Sequence, residues 1–196
     1  SGTVDIEYQL VEKSSSQFDL SGGIGNGYVI FQAGISLTNF STQKFFNKKA
    51  WNPFPIGDGQ KLSLRVHTNG DYYNAVSLSF TEPWLGGKKP NALSVGVYYS
   101  YQDDGFWNTS GQSEYHVGIL GGSVSLATRL KWPDDYFTFV HGIAYQQYNV
   151  KNYSTLTAMP TGISNNINYN FTIARNSVDQ LIYPRQGSDI SLAAQM

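Results

Sequence analysis

The sequence contains no cysteine, which excludes a disulfide framework and any thiolate metal site. Charge is scarce. Asp, Glu, Lys and Arg make up 14% of the 196 residues, against roughly 25% in an average soluble domain. The 13 basic and 14 acidic residues leave a net charge of −1. A nucleic-acid-binding chain would carry a basic excess, and a disordered tail would combine high net charge with few aromatics. Long apolar runs are also missing. Leu20–Gln43 carries no charge, but Gly, Ser, Thr, Asn and Gln interrupt it throughout, so it does not read as a transmembrane helix. The opening Ser1-Gly2-Thr3 has neither the basic nor the apolar region of a signal peptide. The expectation is a removed leader or an internal piece of a longer chain.

What is abundant is glycine (20 residues) and tyrosine (14), with aromatics at 15%. The dominant pattern has period two. Leu62, Leu64 and Val66 alternate with Lys61, Ser63, Arg65 and His67. Val29, Phe31, Ala33, Ile35 and Leu37 form one row, Val76, Leu78 and Phe80 another, and Leu93, Val95, Val97, Tyr99 and Tyr101 a third. This predicts about nine strands, near 18–25, 28–39, 60–69, 74–83, 92–101, 115–130, 136–148, 167–175 and 188–195. Between Tyr115 and Leu130 the apolar phase moves from odd to even positions at Gly121-Gly122, where a bulge would absorb one residue.

Such alternation serves either a β-sandwich, with the apolar face inside, or a membrane barrel, with the apolar face in lipid. The strands approach the ~9–11 residues that a tilted membrane strand needs. The polar rows are Ser, Thr, Gly, Asn, Gln and Tyr, with few Lys/Glu pairs. Aromatics gather at strand ends, as at Trp84, Phe106-Trp107, Trp132 and Tyr136-Phe137, like interfacial girdles. These features favour the barrel. A secreted sandwich that binds carbohydrate through Trp and Tyr, and a small porin-like barrel, stand as alternatives.

Val4–Lys13 alternates apolar with charged residues and reads as a water-exposed strand, with Ser14-Ser15-Ser16 as a junction. Followed by Phe18–Gly27, it resembles the passage from the last POTRA domain into the barrel of the BamA family, the central subunits of the outer-membrane β-barrel assembly machinery. Val29–Phe40 resembles the second barrel strand of that family. Leu78–Leu85 resembles its fourth strand and turn, through Glu82-Pro83-Trp84. Asn176–Asp179 with Tyr183-Pro184 and Gly187 resembles the turn before its ninth strand. The four motifs occur in order along essentially the whole chain.

The resemblance implies an all-β, antiparallel transmembrane β-barrel, of which this chain supplies the N-terminal part: about nine strands of a sixteen-stranded barrel. Residues 1–16 would end the last POTRA domain and 17–196 would be barrel. The family's Arg-Gly-Phe motif is not in the chain, and Ala193–Met196 lacks a terminal aromatic. Both suit a partial barrel better than the runner-up, a closed eight-strand one. The implied function is non-enzymatic and ATP-independent: insertion of client outer-membrane proteins through a lateral gate in the bacterial outer membrane, with the N-terminal residues in the periplasm. Clients, accessory lipoproteins and the lipid bilayer are the implied partners, with no nucleic acid. The gate strand would be Phe18, Asp19, Leu20, Ser21, Gly22, Gly23, Ile24 and Gly25, weak because three glycines fall in five residues. The link Ser41–Gly59 is long for a periplasmic turn. Its Phe45, Phe46, Trp51 and Phe54, near Lys44 and Lys48-Lys49, either pack on the rim or dock an accessory lipoprotein or the membrane surface.

No other chemistry emerges. His67, His116 and His141 lie on different strands, and no metal or cofactor is expected. Asp103-Asp104 and Asp134-Asp135 read as solvated turns. Gly23-Ile24-Gly25-Asn26-Gly27 is not followed by a helical pattern, so it is a strand and turn and not a phosphate loop.

Overall fold

The computed structural model describes residues 16–25, 28–51, 53–70, 72–87, 89–103, 115–151, 160–180 and 182–196. The expected POTRA strand and the turn residues Asn26-Gly27 lie outside them. Among the described residues nine strands form: β1 (Gln17–Gly25), β2 (Tyr28–Phe40), β3 (Gln60–Asn69), β4 (Tyr73–Glu82), β5 (Ala92–Asp103), β6 (His116–Arg129), β7 (Phe137–Lys151), β8 (Gly162–Asn176) and β9 (Asp189–Gln195). They make one antiparallel sheet in strict chain order, β1 to β9. Among the described residues no helix is long and apolar enough to cross a membrane.

The register lines the apolar rows up across the sheet. Ile35 faces Leu64, Leu64 faces Leu78, Leu78 faces Val97, and Val95 faces Val124, which faces Ile143. These rows stay open. Val97 and Leu120 are each 50% exposed and Ile143 is 57% exposed. Among the described residues only Leu37, Phe40 and Val150 are buried hydrophobics. A sandwich would enclose its apolar face at roughly 25 cal/mol per Å². The sandwich alternative is therefore overturned: the described strands form one sheet whose apolar face stays open. β1 and β9 do not pair with each other, so the closed eight-strand alternative is overturned too.

The expected bulge at Gly121-Gly122 is also corrected. Tyr98–Gly121 and Val97–Gly122 pair without a shift, and β6 continues unbroken against β7. The phase change comes from residue type: Val117 and Ile119 fall on the polar row. Gly121 is there for Tyr98. A Cβ at Gly121 would collide with the Tyr98 ring. Lying over that gap, the Tyr98 hydroxyl accepts a 2.6 Å bond from Gln146 Nε2, two strands away, and the Tyr148 hydroxyl donates to Gln146 Oε1 at 2.8 Å. The one register shift of β2 against β3 falls between Leu37 and Phe40, where the chain leaves the sheet for the long link. β8 begins five residues before the expected 167.

Antiparallel order puts the β2–β3, β4–β5, β6–β7 and β8–β9 links at one rim, and that rim carries the expected motifs.

Candidate functional site

Among the described residues β1 is held on one side only, by β2. Its register with β2 sets Phe18 opposite Ile35, Leu20 opposite Ala33 and Ile24 opposite Val29. These three side chains are more open than the apolar residues of the sheet centre, reaching 84% exposure at Ile24. Asp19, Ser21 and Gly23 take the polar row. A Cβ at Gly23 would meet nothing within 4 Å, and one at Gly22 would meet only the Ile30 carbonyl oxygen at 3.6 Å. Among the described residues no aromatic ring fills the space these glycines leave. At Gly22 and Gly23 β1 is therefore joined to β2 by backbone hydrogen bonds alone, with no side chain of its own to resist separation. Asp19 meets the polar face lower down, where its Oδ2 and the Arg65 Cγ flank Gly34 at 3.6 Å from a Cβ built there.

The foot of β1 has one further hold. Phe54 of the β2–β3 link lies against Phe18, ring centroids 6.0 Å apart. That link is folded around Phe45, whose ring contacts Phe40 (6.2 Å), Phe46 (5.3 Å) and Trp51 (5.7 Å). The Trp51 indole N–H donates to the Phe45 carbonyl at 3.1 Å. Asn47 caps a 3₁₀ turn at Lys48–Ala50 by accepting from the Lys49 N–H. Buried Ser41 donates to Asp58 Oδ2 at 2.6 Å, and Lys44 Nζ donates to the Ile56 carbonyl. Phe45 and Phe54 thus make ring contacts within the protein, Phe45 remaining 45% exposed, while Phe46, 89% exposed, projects outward.

The motif turns hold the rim together. Glu82 Oε1 accepts the Trp84 N–H at 2.9 Å, and its Oε2 accepts from Gln60 Nε2 at 2.7 Å. Gln60 also accepts the Thr42 N–H at 2.8 Å, so one carboxylate ties the β4–β5 turn to the start of β3 and, through Gln60, to the long link. Pro83 follows, and Trp84 is left exposed. In the β8–β9 turn Asp179 Oδ1 accepts the N–H groups of Arg185 (2.9 Å) and Gln186 (3.2 Å). The Arg185 bond is the larger cause of an Asp179 carboxyl held below its ordinary range. Pro184 sits between these contacts. Gly187, at φ 101°, has no room for a side chain, since a Cβ would collide with the Ser177 carbonyl.

One rim contact has no signal in the sequence. Asp134, expected to be simply solvated, forms an ion pair with Arg175 at 2.9 Å. Arg175 also donates to Ser177 and Ser188 and stacks over the Tyr136 ring at 5.6 Å. The histidines stay apart. His67 contacts Tyr73 on the polar row, and His141 stacks on Phe139 in the apolar row, rings 5.1 Å apart. Among the described residues no group of His, Asp or Glu could hold a metal.

The Omp85 superfamily domain matches residues 56–196. The chain is also similar to the crystal structure of BamA from Haemophilus ducreyi lacking POTRA domains 1–3, with a TM-score of 0.54 and 18% identity. That likeness, one of fold, covers 94% of this chain and 34% of the other, so the chain spans about a third of that structure's length. No curated protein matches the chain.

Proposed function

The chain belongs to the Omp85 superfamily, and on that premise we propose that it is the N-terminal part of a bacterial outer-membrane insertase barrel, with β1 as the client-pairing strand of its lateral gate. The N-terminal residues enter from the periplasm, and the rim of the motif turns faces that side. Insertion uses no ATP and no cofactor. A strand edge in lipid leaves N–H and C=O groups unsatisfied at several kcal/mol each. An incoming client strand that adds to an opened edge avoids that cost. Accessory lipoproteins meet the rim at the β2–β3 link.

The observation that supports the reading most is the pair Gly22 and Gly23, which leave the upper part of β1 without side-chain cover there and, among the described residues, accommodate no neighbouring ring. These 196 residues contain no cysteine, and introduced ones report cleanly once any cysteine elsewhere in the full-length protein is replaced by serine. In the full-length protein, Ser21→Cys or Gly23→Cys is expected to crosslink to the C-terminal strand of a stalled client. A disulfide that locks β1 to the last barrel strand is expected to block assembly. Normal client insertion with that lock fully formed overturns the gate.

A further inference from the structure

The face that carries the apolar rows changes character at the end away from the motif rim. There a cleft of about 200 Å³ opens across β5, β6 and β7, lined by Tyr99, Tyr101, His116, Leu120, Gln147 and Asn149. The register places these residues on one side of the sheet. Tyr99 pairs with Leu120 and Leu120 with Gln147, while Tyr101 pairs with Gly118 and Gly118 with Asn149. The same side continues toward the motif rim as Val97, Gly122 and Tyr145, then as Val95, Val124 and Ile143. Val97, Val124 and Ile143 are at least half exposed, so cleft and apolar column form one open surface.

Gly118 and Gly122 lower the middle of that surface, because neither brings a side chain into the gap between β5 and β7. A Cβ at Gly118 would touch Asn149 Cβ at 3.8 Å and the Tyr99 hydroxyl at 3.9 Å. The Tyr101 and His116 rings lie beside it, centroids 5.4 Å apart. The amides keep unused capacity. Asn149 is exposed, and its carboxamide makes no hydrogen bond among the described residues. Gln147 Nε2 donates only over long distances, 3.3 Å to Asn165 Oδ1 and 3.4 Å to the Tyr145 hydroxyl. Polar groups on a lipid-facing row are costly unless something there satisfies them.

The chemistry of the lining selects the occupant. None of the lining residues is Lys, Arg, Asp or Glu, so the cleft lacks the charged partner that a phosphate or ammonium head calls for. A carboxamide both donates and accepts, as each hydroxyl of a sugar does, and tyrosine rings present apolar faces to a sugar's C–H groups. The volume is below the roughly 300–1,000 Å³ of a pocket that encloses a whole small ligand, which suits one part of a larger amphiphile.

We propose that this cleft binds the sugar of a glycolipid whose acyl chains run along the Val97–Gly122–Tyr145 and Val95–Val124–Ile143 pairs. Head and chains then lie on the same side of the sheet, in one line. The site rests on the membrane-spanning reading and not on the gate.

The test is native mass spectrometry of the full-length protein in an amine-oxide detergent, which carries no sugar. The protein is titrated separately with galactosyl- and glucosyl-diacylglycerol, with phosphatidylglycerol of the same acyl chains, and with the two free methyl glycosides. At least one glycolipid is expected to be retained in preference to phosphatidylglycerol. Asn149→Leu is expected to lower that preference about two- to tenfold, the equivalent of about 0.5–1.5 kcal/mol for a lost hydrogen bond. Gly118→Leu, which fills the cleft, is expected to lower it at least as far. Both add apolar surface to a lipid-facing row, so neither opposes the fold. Ser100→Ala, on the polar row between Tyr99 and Tyr101, is expected to leave the preference unchanged. Retention of phosphatidylglycerol equal to that of both glycolipids overturns the sugar. An unchanged preference in Asn149→Leu and Gly118→Leu overturns the cleft, as does an equal loss in Ser100→Ala. Retention of a free glycoside without its glycolipid overturns the lipid as the source of the sugar. The membrane reading is scored apart, by whether the protein stays in solution without detergent.

Discussion

Arg175 and Asp134 stand 41 residues apart in sequence and meet at 2.9 Å, where the guanidinium rivets the β6–β7 turn to the β8–β9 turn. Both side chains are partly open to solvent, 26% and 35% exposed, so the pair alone contributes about 0.2–1 kcal/mol. The hydroxyls of Ser177 and Ser188 add to it. A double-mutant cycle with Asp134→Asn and Arg175→Met is expected to show a coupling in that range. Arg175→Lys is expected to behave more like Met than like Arg, because an ammonium cannot reproduce the fork. Full retention of stability by Lys would remove the geometric part of this account.

The two faces of β3 carry unequal risk. Leu64→Arg puts a charge on the apolar row near its centre and is expected to cost about 2–4 kcal/mol of folding stability in a bilayer. Ser63→Arg, one residue away on the polar row, is expected to cost much less. Denaturant titrations of the barrel in lipid vesicles compare them, and equal costs would rule out the register.

Tyr98 and Gly121 form a paired fit. Tyr98→Phe removes the hydroxyl that Gln146 donates to and is expected to cost about 0.5–1.5 kcal/mol. Gly121→Ala drives a Cβ into the ring and is expected to cost about 1–3 kcal/mol as overpacking. The alanine cost is expected to shrink when Tyr98 is also made small. Additive costs in Gly121→Ala/Tyr98→Ala would break the link.

Asp179 gives the β8–β9 turn a defined acid limit. Its carboxyl titrates below the ordinary range in the folded turn because backbone N–H groups, Arg185 first, bind the charged form. The stabilisation is therefore complete above the ordinary carboxylate value and fades as pH falls through the lowered one. Amide hydrogen exchange at Arg185 and Gln186, corrected for intrinsic rates, is expected to lose protection only in acid. Asp179→Asn, which keeps an acceptor oxygen, is expected to flatten that response, and an unchanged acid response in the Asn variant would assign it elsewhere.

Strand positions were legible because the period-two rows run through nearly every strand, and the β3 and β4 rows needed no correction. What escaped depends on partners far away in sequence. Gly121-Gly122 reads as a bulge until Tyr98, 23 residues earlier, is seen to lie over it. Asp134 reads as solvated until Arg175 arrives from β8. The first five residues of β8, Gly162–Asn166, hold a single large apolar residue, Ile163, and are strand only because Tyr148 and Asn149 offer them a ladder. The β2–β3 link showed its aromatics, but not that Phe54 would reach Phe18. Of the candidate site, the glycines of β1 were visible from composition. The empty space beside them was not.

The unbroken order β1 to β9 bears on how such a sheet is made. Within β1 to β9 every strand ladders only with its neighbours in sequence, so none of these pairings requires a distant segment to find its mate. Closure entropy is met one hairpin at a time, and it grows only slowly with loop length. A chain delivered from its N-terminus could zip up in the order of its synthesis, each finished strand serving as template for the next. Such local connectivity favours rapid folding. In lipid it carries a second benefit: at any moment of growth the incomplete sheet exposes two raw edges and never more.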